Sequence, residues 1–319
     1  MKTAFKRLIA LLIVMTALCF SGCSSETGKA DSGNASNGNG NSAFDINTLT
    51  EGDATLKIMT WNIYLGKGNG EDAIAVVESH DPDILQFQEA VGFYETFVDV
   101  FLSRHDEYAI TNTVVDGDKV ASTPILYKKA KFDLVENGIV FLTDAYQANN
   151  SKTMSWAVFT DKASGKTFID FDFHGAICKP TYEGYTNLST QQANEVAYEW
   201  RRRNVLQILT KRDELAKIYG DAPTFITGDC NFDSSSAAYA ELMDAGYQDA
   251  EVTAIFSRTE DGSKSTHGLG DGSPYVGLTI DHVFGNGKVY FLTHLIDKSK
   301  KTITSSDHFP VIATAYIDF

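Results

Sequence analysis

The sequence is poor in cysteine. It has four in 319 residues, and Cys19 and Cys23 lie at the extreme N-terminus. Only Cys178 and Cys230 remain for a folded region, which excludes a disulfide framework and leaves one bridge at most. Two thiols of unknown separation do not establish that bridge, given its geometric demands, and whether they pair stays open. No HExxH motif or Cys/His cluster proposes a structural zinc. No P-loop is present either: GKGNGED (66–72) is glycine-rich but lacks the Lys-Ser/Thr pair and reads as a turn. Positive charge is scarce. Lys and Arg number 27 against 42 acids, for a net charge of −15. Lys2, Lys6 and Arg7 precede Cys23 and no acid does, so the chain from Cys23 onward carries −18. That balance disfavours non-specific attraction to DNA or to an anionic bilayer, while leaving room for a local basic patch. No long basic, aromatic-studded stretch offers a grip on a duplex, and no strongly apolar hairpin offers entry to a bilayer.

What is present begins with a leader. MKTAFKR is cationic, LIALLIVMTALCF is apolar but short for a membrane span, and small residues follow. This reads as a secretory signal and is set aside from the fold. Its end, FSGCSS, resembles a bacterial lipobox, with Phe20 where leucine is commoner. The resemblance implies that residues 1–22 are a lipoprotein signal peptide and that Cys23 carries a lipid. The expected location is outside the cell, anchored to the outer face of the bacterial membrane. Residues 23–53 are rich in Ser, Gly and Asn and cannot bury enough surface to offset their ordering entropy. They read as a flexible tether with a reach of roughly 30 Å. The folded domain is expected over residues 54–319.

Within that domain, strand-like and helix-like runs alternate. Strands are expected at 55–63, 83–90, 124–129, 156–161, 167–174, 223–231, 278–285, 289–296 and 309–317. Helices are expected at 71–80, 93–104, 189–219 and 237–246. Ser189 with Gln192 offers a capping box for the longest helix, and Gly220 ends it. In TFIDFDFH (167–174), Ile169, Phe171 and Phe173 share one face, while Asp170, Asp172 and His174 share the other. Several strands with one apolar face suggest sheets packed face to face, with helices outside.

Polar residues gather where these strands end: Asn62, Glu89, His174, Asp229, Asn231, Asp281, Asp307 and His308. Singly, each is an ordinary turn former. Together, several carboxylates and an amide suit a hard divalent cation such as Mg²⁺, or Mn²⁺ in its place. The histidines suit proton transfer or donation to phosphate oxygens.

The ordered motifs WNI, LQFQEA, FHG, ITGDCN, TIDHVF and SSDHFPV resemble those of the endonuclease/exonuclease/phosphatase superfamily. That group includes deoxyribonuclease-like enzymes, abasic-site endonucleases, sphingomyelinases and inositol-phosphate phosphatases. The resemblance spans about 55–319. It implies a four-layer α/β sandwich: two mixed, mostly antiparallel β-sheets with helices outside. It also implies metal-dependent hydrolysis of a phosphate ester by in-line attack of water. Glu89 would be the principal metal ligand, with Asn62 and Asp307 near the ion. Asp229 would orient or deprotonate the water. Asn231 and His174 would hold phosphate oxygens, and Asp281 would buttress His308. Which of Asp229 and His308 is the base stays open.

Three positions depart from the family pattern. Asp172 stands where asparagine is usual. It reads as a further acid near the metal and a possible substrate contact, a partner for the imidazole, or a solvated charge. Thr279 replaces a common arginine. Cys230 replaces an apolar residue and, by alternation, points into the core. Lys179, in the loop CKPTYEGYTN (178–187), and His267, in STHGLGDG (265–272), are candidate substrate contacts. Arg201, Arg202 and Arg203 read as a solvated helix face. The substrate could be nucleic acid, a small phosphoester or a phospholipid head group, and the protein is expected to be monomeric. A non-catalytic surface lipoprotein and a two-carboxylate glycosidase are the competing readings. The glycosidase gives no reason for the two histidines or for Asn62 and Asn231.

Overall fold

The computed structural model describes residues 55–319, apart from 92–93, 117–118, 143–151, 260–261 and 269–278. The leader, the tether, Cys23 and the end of STHGLGDG lie outside the described residues.

Two mixed sheets form the domain, in agreement with the expected sandwich. Sheet one has the order β12 (Phe256–Thr259), β14 (Val289–Ile296), β15 (Val311–Ile317), β1 (Thr55–Asn62), β2 (Ile84–Gln88), β6 (Ile125–Lys128), β3 (Tyr108–Ile110). Sheet two has the order β11 (Gln248–Asp249), β13 (Asp281–Gly285), β10 (Thr224–Asp229), β9 (Lys166–His174), β8 (Thr153–Asp161), β7 (Phe132–Phe141). The short pair β4 (Val114–Asp116) and β5 (Lys119–Val120) stands apart. The parallel pairings are β1 with β2, β9 with β10, and β12 with β14, and the other pairings are antiparallel.

Helices α1 (Gly70–His80) and α2 (Asp99–Arg104) cover sheet one, packing Ile74, Val77 and Phe101 against Met59, Trp61, Leu85 and Phe87. Helix α3 (Thr190–Tyr219) and helix α4 (Ala237–Asp244) cover sheet two, packing Val205, Ile208 and Leu242 against Ile169, Phe171 and Phe173. Two short α-helices, α5 (Ala250–Thr253) and α6 (Lys300–Ser305), are also present among the described residues. The start of α3 is set by its sequence: the Ser189 hydroxyl accepts from Gln192 N–H, and the Gln192 side chain accepts from Ser189 N–H. At 30 residues the helix is about 45 Å long and spans the sheet.

The layer between the sheets places the site. Its apolar part holds Leu56, Ile58, Ile84, Phe168, Phe225 and Val311. Two residues further along each central strand, the inward positions turn polar. Leu56 and Ile58 give way to Thr60 and Asn62 on β1, and Ile84 to Gln86 and Gln88 on β2. Phe168 gives way to Asp170, Asp172 and His174 on β9, and Phe225 to Thr227 and Asp229 on β10. These side chains bond across the gap. Gln86 Nε2 donates to Asp170 at 2.8 Å, Thr227 Oγ1 donates to Gln86 Oε1 at 2.6 Å, and Gln88 Nε2 donates to Asp172 at 2.6 Å.

Candidate active site

The two central parallel pairs end at one cleft. Asn62 lies in register with Gln88, the residue before Glu89, and His174 with Asp229. Strand β13 enters from the opposite direction, so its first residue, Asp281, pairs with Asp229. The segment before β15 supplies Asp307 and His308. A cavity of about 430 Å³ opens here, lined by Tyr64, Glu89, His174, Ile177, Lys179, Asp229, Asn231, His267, Ile280, Asp307 and His308.

Asp229 is the hub. Its Oδ2 accepts from Asn62 Nδ2 at 2.9 Å, and its Oδ1 accepts from Asn231 N–H at 3.0 Å. His174 Nε2 lies 3.2 Å and His308 Nε2 3.8 Å from Oδ2. Burial opposes its charge, but the His308 and His174 imidazoles outweigh burial and hold the carboxyl well below the usual range. His308 Nδ1 meets Asp281 at 3.0 Å. Burial disfavours the imidazolium, yet Asp281 and Asp229 together raise His308 to about 10. His308 is therefore a proton donor at neutral pH.

The serines of SSDH fasten this segment. Ser306 Oγ donates to the Asn62 carbonyl at 2.6 Å and accepts from His308 N–H at 3.1 Å. Trp61 Nε1 donates to the His308 carbonyl at 2.9 Å. Thr266 Oγ1 accepts from both Ile280 and Asp281 N–H, which ties the STHG loop to the start of β13. His267 then stacks edge-on against His308, with ring centroids 4.7 Å apart. Gly175 permits a close backbone approach beside the cleft, because a Cβ there would lie 2.1 Å from the Cys230 carbonyl oxygen.

Backbone strain marks the same place. Four described non-glycine residues have positive φ, and three of them (Tyr64, Glu89 and Asn231) line the cavity. The fourth, Asp81, caps the C-terminus of α1. Residues other than glycine rarely occupy this region, and those that do cluster at functional sites.

The residues fit a hard divalent cation. Glu89, Asp229 and Asp307 present carboxylate oxygens to one cavity, and Asp307 Oδ1 is buried with no hydrogen-bond partner among the described residues.

The structure brings Glu89, His174, Lys179, Asp229, Asn231, His267, Asp307 and His308 to one cavity and sets Asp281 behind His308. Asn62 does not itself line the cavity. It is buried one layer behind the cavity, with its oxygen accepting from Tyr64 N–H and its amide holding Asp229. Asp172 is not a substrate contact or a solvated charge. It is fully buried between the sheets, because the face of β9 opposite α3 meets sheet one rather than water. Arg201 is not part of a solvated face: its guanidinium donates to the Asn231 carbonyl and, through Nε, to Ala197 O at 3.0 Å. Cys178 and Cys230 are free. Cys178 packs with Trp200, and Cys230 sits in the core beside Phe173.

Sequence reasoning missed Lys152, Tyr64, Ile177 and Ile280. Lys152 is buried, and its ammonium contacts His174 Nε2. Burial lowers it to about 8, against the pull of Asp229 and Glu89. Its signal was topological. Strand β8 runs antiparallel to β9, so the start of β8 lies beside the end of β9, with Met154 opposite Phe173. A survey of strand C-termini alone passes over it.

Asp172 carries a prediction. Its burial raises its carboxyl well above the ordinary value, and both its Oδ2 and Gln88 Oε1 are acceptors without a donor among the described residues. A raised acid contributes stability that is fully present below its unfolded value of about 3.8 and is lost as pH rises through the folded value. Asp172→Asn is therefore expected to stabilise the protein by roughly 1 kcal/mol or more at pH 7.5. The gain should shrink towards pH 4, as read by thermal melts across pH. An equal effect at both ends would show that Asp172 is ionised in the fold.

No curated protein sequence matches this chain. Solved structures do. One is an endonuclease/exonuclease/phosphatase family protein from Bacteroides thetaiotaomicron, 20% identical, with a TM-score of 0.65 over 84% of this chain and 99% of that one. A second is a mannosyl-6-phosphatase from the same organism, 20% identical, with a TM-score of 0.61 over 82% of this chain and 100% of that one. A third is D. rerio TDP2 complexed with a single-strand DNA product, 19% identical, with a TM-score of 0.60 over 82% and 99%. These likenesses establish the shared fold, and the family profile described as endonuclease/exonuclease/phosphatase matches residues 59–308. The chain belongs to the endonuclease/exonuclease/phosphatase family.

Proposed function

We propose that this protein is a metal-dependent hydrolase of phosphate esters, exported and held outside the bacterial membrane by a lipid on Cys23. The observation that carries the activity is the convergence of Glu89, Asp229 and Asp307 with His174 and His308 on one cavity. A bound divalent cation, Mg²⁺ or Mn²⁺, would be held by Glu89 and Asp307 and would offset charge on the phosphate. Asp229, ionised and oriented by Asn62 and Asn231, takes the proton of the attacking water. The water oxygen forms the new bond to phosphorus as the ester oxygen leaves. His308, protonated through its contact with Asp281, donates to a non-bridging oxygen as charge builds there. This division makes Asp229 the base. His174 and Lys179 complete the phosphate's surroundings. The structure of a mannosyl-6-phosphatase and that of a DNA-bound relative bracket the range from small phosphoesters to nucleic acid.

The test is hydrolysis of a chromogenic phosphodiester and its matching monoester by the unit Ala54–Phe319, with Mg²⁺ or Mn²⁺ and with chelator. Turnover of either ester that chelation abolishes and metal restores is the expected result. Turnover that survives chelation would remove the metal from the scheme. Silence on both esters, then on DNA, RNA and phospholipid, would favour a binding lipoprotein. The anchor is tested separately: labelled fatty acid should enter the full chain and fail to enter Cys23→Ala.

A further inference from the structure

Within that phosphoesterase reading, we propose that Arg201, on the outer helix α3, is a positioning residue for the reaction: it holds Asn231 in the strained conformation that aims Asp229 at the attacking water. Three arginines follow one another on α3, and they are used differently. Arg202 pairs with Glu241 at 2.7 Å, and Arg203 pairs with Glu199 at 3.7 Å. Both are solvent-facing ion pairs of the ordinary kind, which contribute little. Arg201 is half-buried and has no carboxylate partner among the described residues. Its hydrogen bonds run to two main-chain carbonyls instead, to Asn231 through Nη1 and to Ala197 through Nε at 3.0 Å. The Tyr198 ring, one turn back on the same helix, lies 4.7 Å from the guanidinium and braces it. Withdrawing a cation from water without an opposite charge in reach is costly. The arm is thus spent on one loop carbonyl, and that carbonyl belongs to a residue of the cavity wall.

Asn231 needs holding. Its φ of 55° lies in the left-handed region, which a residue other than glycine keeps only where its surroundings fix it. In that conformation its N–H donates to Asp229 Oδ1 at 3.0 Å, and its Nδ2 donates to the Gly175 carbonyl at 3.1 Å. Gly175 N–H in turn donates to the Asp229 carbonyl at 2.8 Å. Helix α3 reaches this second segment too. Asn204, three residues after Arg201 and so on the same face, accepts from Ala176 N–H at 3.1 Å. One face of the helix therefore holds both segments that meet at Asp229, residues 175–176 through Asn204 and residue 231 through Arg201. Without the guanidinium, the Asn231 carbonyl loses that donor and the residue is free to relax towards ordinary backbone angles. Its N–H then leaves Asp229 Oδ1, and only Asn62 still aims the carboxylate. Arginine stays charged at working pH, so this hold does not depend on a titration.

The test uses the detergent-solubilised full chain with Mn²⁺ and whichever of the two chromogenic esters the native protein hydrolyses. Arg201→Met is expected to lower kcat about 10- to 100-fold, as loss of one charge-assisted bond requires. KM should stay within about threefold, because aim is lost rather than substrate affinity. A merely structural arginine would lower the melting temperature and leave the kcat of the folded protein unchanged. Arg202→Met, on the same helix and paired only at the surface, is the control and should keep kcat within about twofold. In the Asp229→Asn background, Arg201→Met should change the residual kcat by less than about threefold, because no base is left to aim. Should Arg201→Met fail to melt cooperatively, Arg201→Lys carries the test. It keeps the charge but not the fork that spans both carbonyls, and a kcat lower by about tenfold is expected. Native kcat in the Arg201 variant that folds, or an undiminished loss in the Asp229→Asn background, would overturn the inference and leave the phosphoesterase reading intact. Native protein that hydrolyses neither ester would sink that reading and this inference with it.

Discussion

Asp229→Ala is expected to lower turnover of any accepted phosphate ester by about 10³-fold or more, at saturating metal, with the fold intact. Its two oxygens are aimed by Asn62 and by Asn231 N–H, and its charge is held by the surrounding imidazoles. Asp281 and Asp229 hold the neighbouring His308 towards its protonated form, which disfavours it as the acceptor of the water's proton. Asp229→Asn sharpens the test, because it keeps an acceptor for those donors and removes the negative charge. Both variants should lose activity alike while circular dichroism stays unchanged. If Asp229→Asn stays within tenfold of the native protein, Asp229 orients the water and another group is the base.

The second large effect falls on stability, away from the cleft. Asp249, His282 and Glu251 stand close enough together to suggest a cation site. The hydrogen bonds argue otherwise. His282 Nδ1 meets Asp249 at 2.9 Å, while Nε2 points at the Phe232 and Thr279 carbonyls at 3.1 and 3.2 Å. Two carbonyls at one nitrogen and a carboxylate at the other require both nitrogens to carry protons, which leaves no lone pair for a metal. Burial opposes charge on both residues, and each partner's opposite charge outweighs it: Asp249 is lowered and His282 raised. The His282 contribution is complete below about pH 6.5 and is lost as pH rises through its folded value. The Asp249 contribution is complete above about 3.8 and is lost as pH falls through its folded value. The pair is therefore worth most between those limits. Asp249→Asn leaves a buried imidazolium unpaired and should cost about 3–5 kcal/mol near pH 6. In a domain of this size that is roughly 10 °C in melting temperature. Adding His282→Gln should recover part of the loss. A single variant that melts within about 2 °C of the native protein would show that the pair is not ionised.

The ligands of the cleft were legible because they end strands in a fixed order. Each motif couples an apolar run to a polar residue at its end, and a parallel strand delivers its last side chain to a predictable edge. TFIDFDFH and ITGDCN worked this way, while SSDHFPV places its polar pair just before an antiparallel strand. Strands such as Phe132–Phe141 were not legible, because FDLVENGIVF alternates poorly and five of its ten residues are only half-buried. Asp172 shows a second limit. Alternation correctly put it opposite Phe171, but periodicity cannot say whether that face meets water or another sheet.

The sequence by itself determined the sandwich, the positions of its main elements and the carboxylates and histidines of the cleft, because strand period, helix caps and motif order are local properties. Tertiary structure decided the rest. It moved Asn62 one layer back, buried Asp172, turned Arg201 onto the Asn231 carbonyl and brought Lys152 to His174. Those four depend on antiparallel register, on sheet-to-sheet packing and on the rotation of a long helix about its axis. Each is set by contacts between residues far apart in the chain, and no local pattern encodes which face such a residue will find.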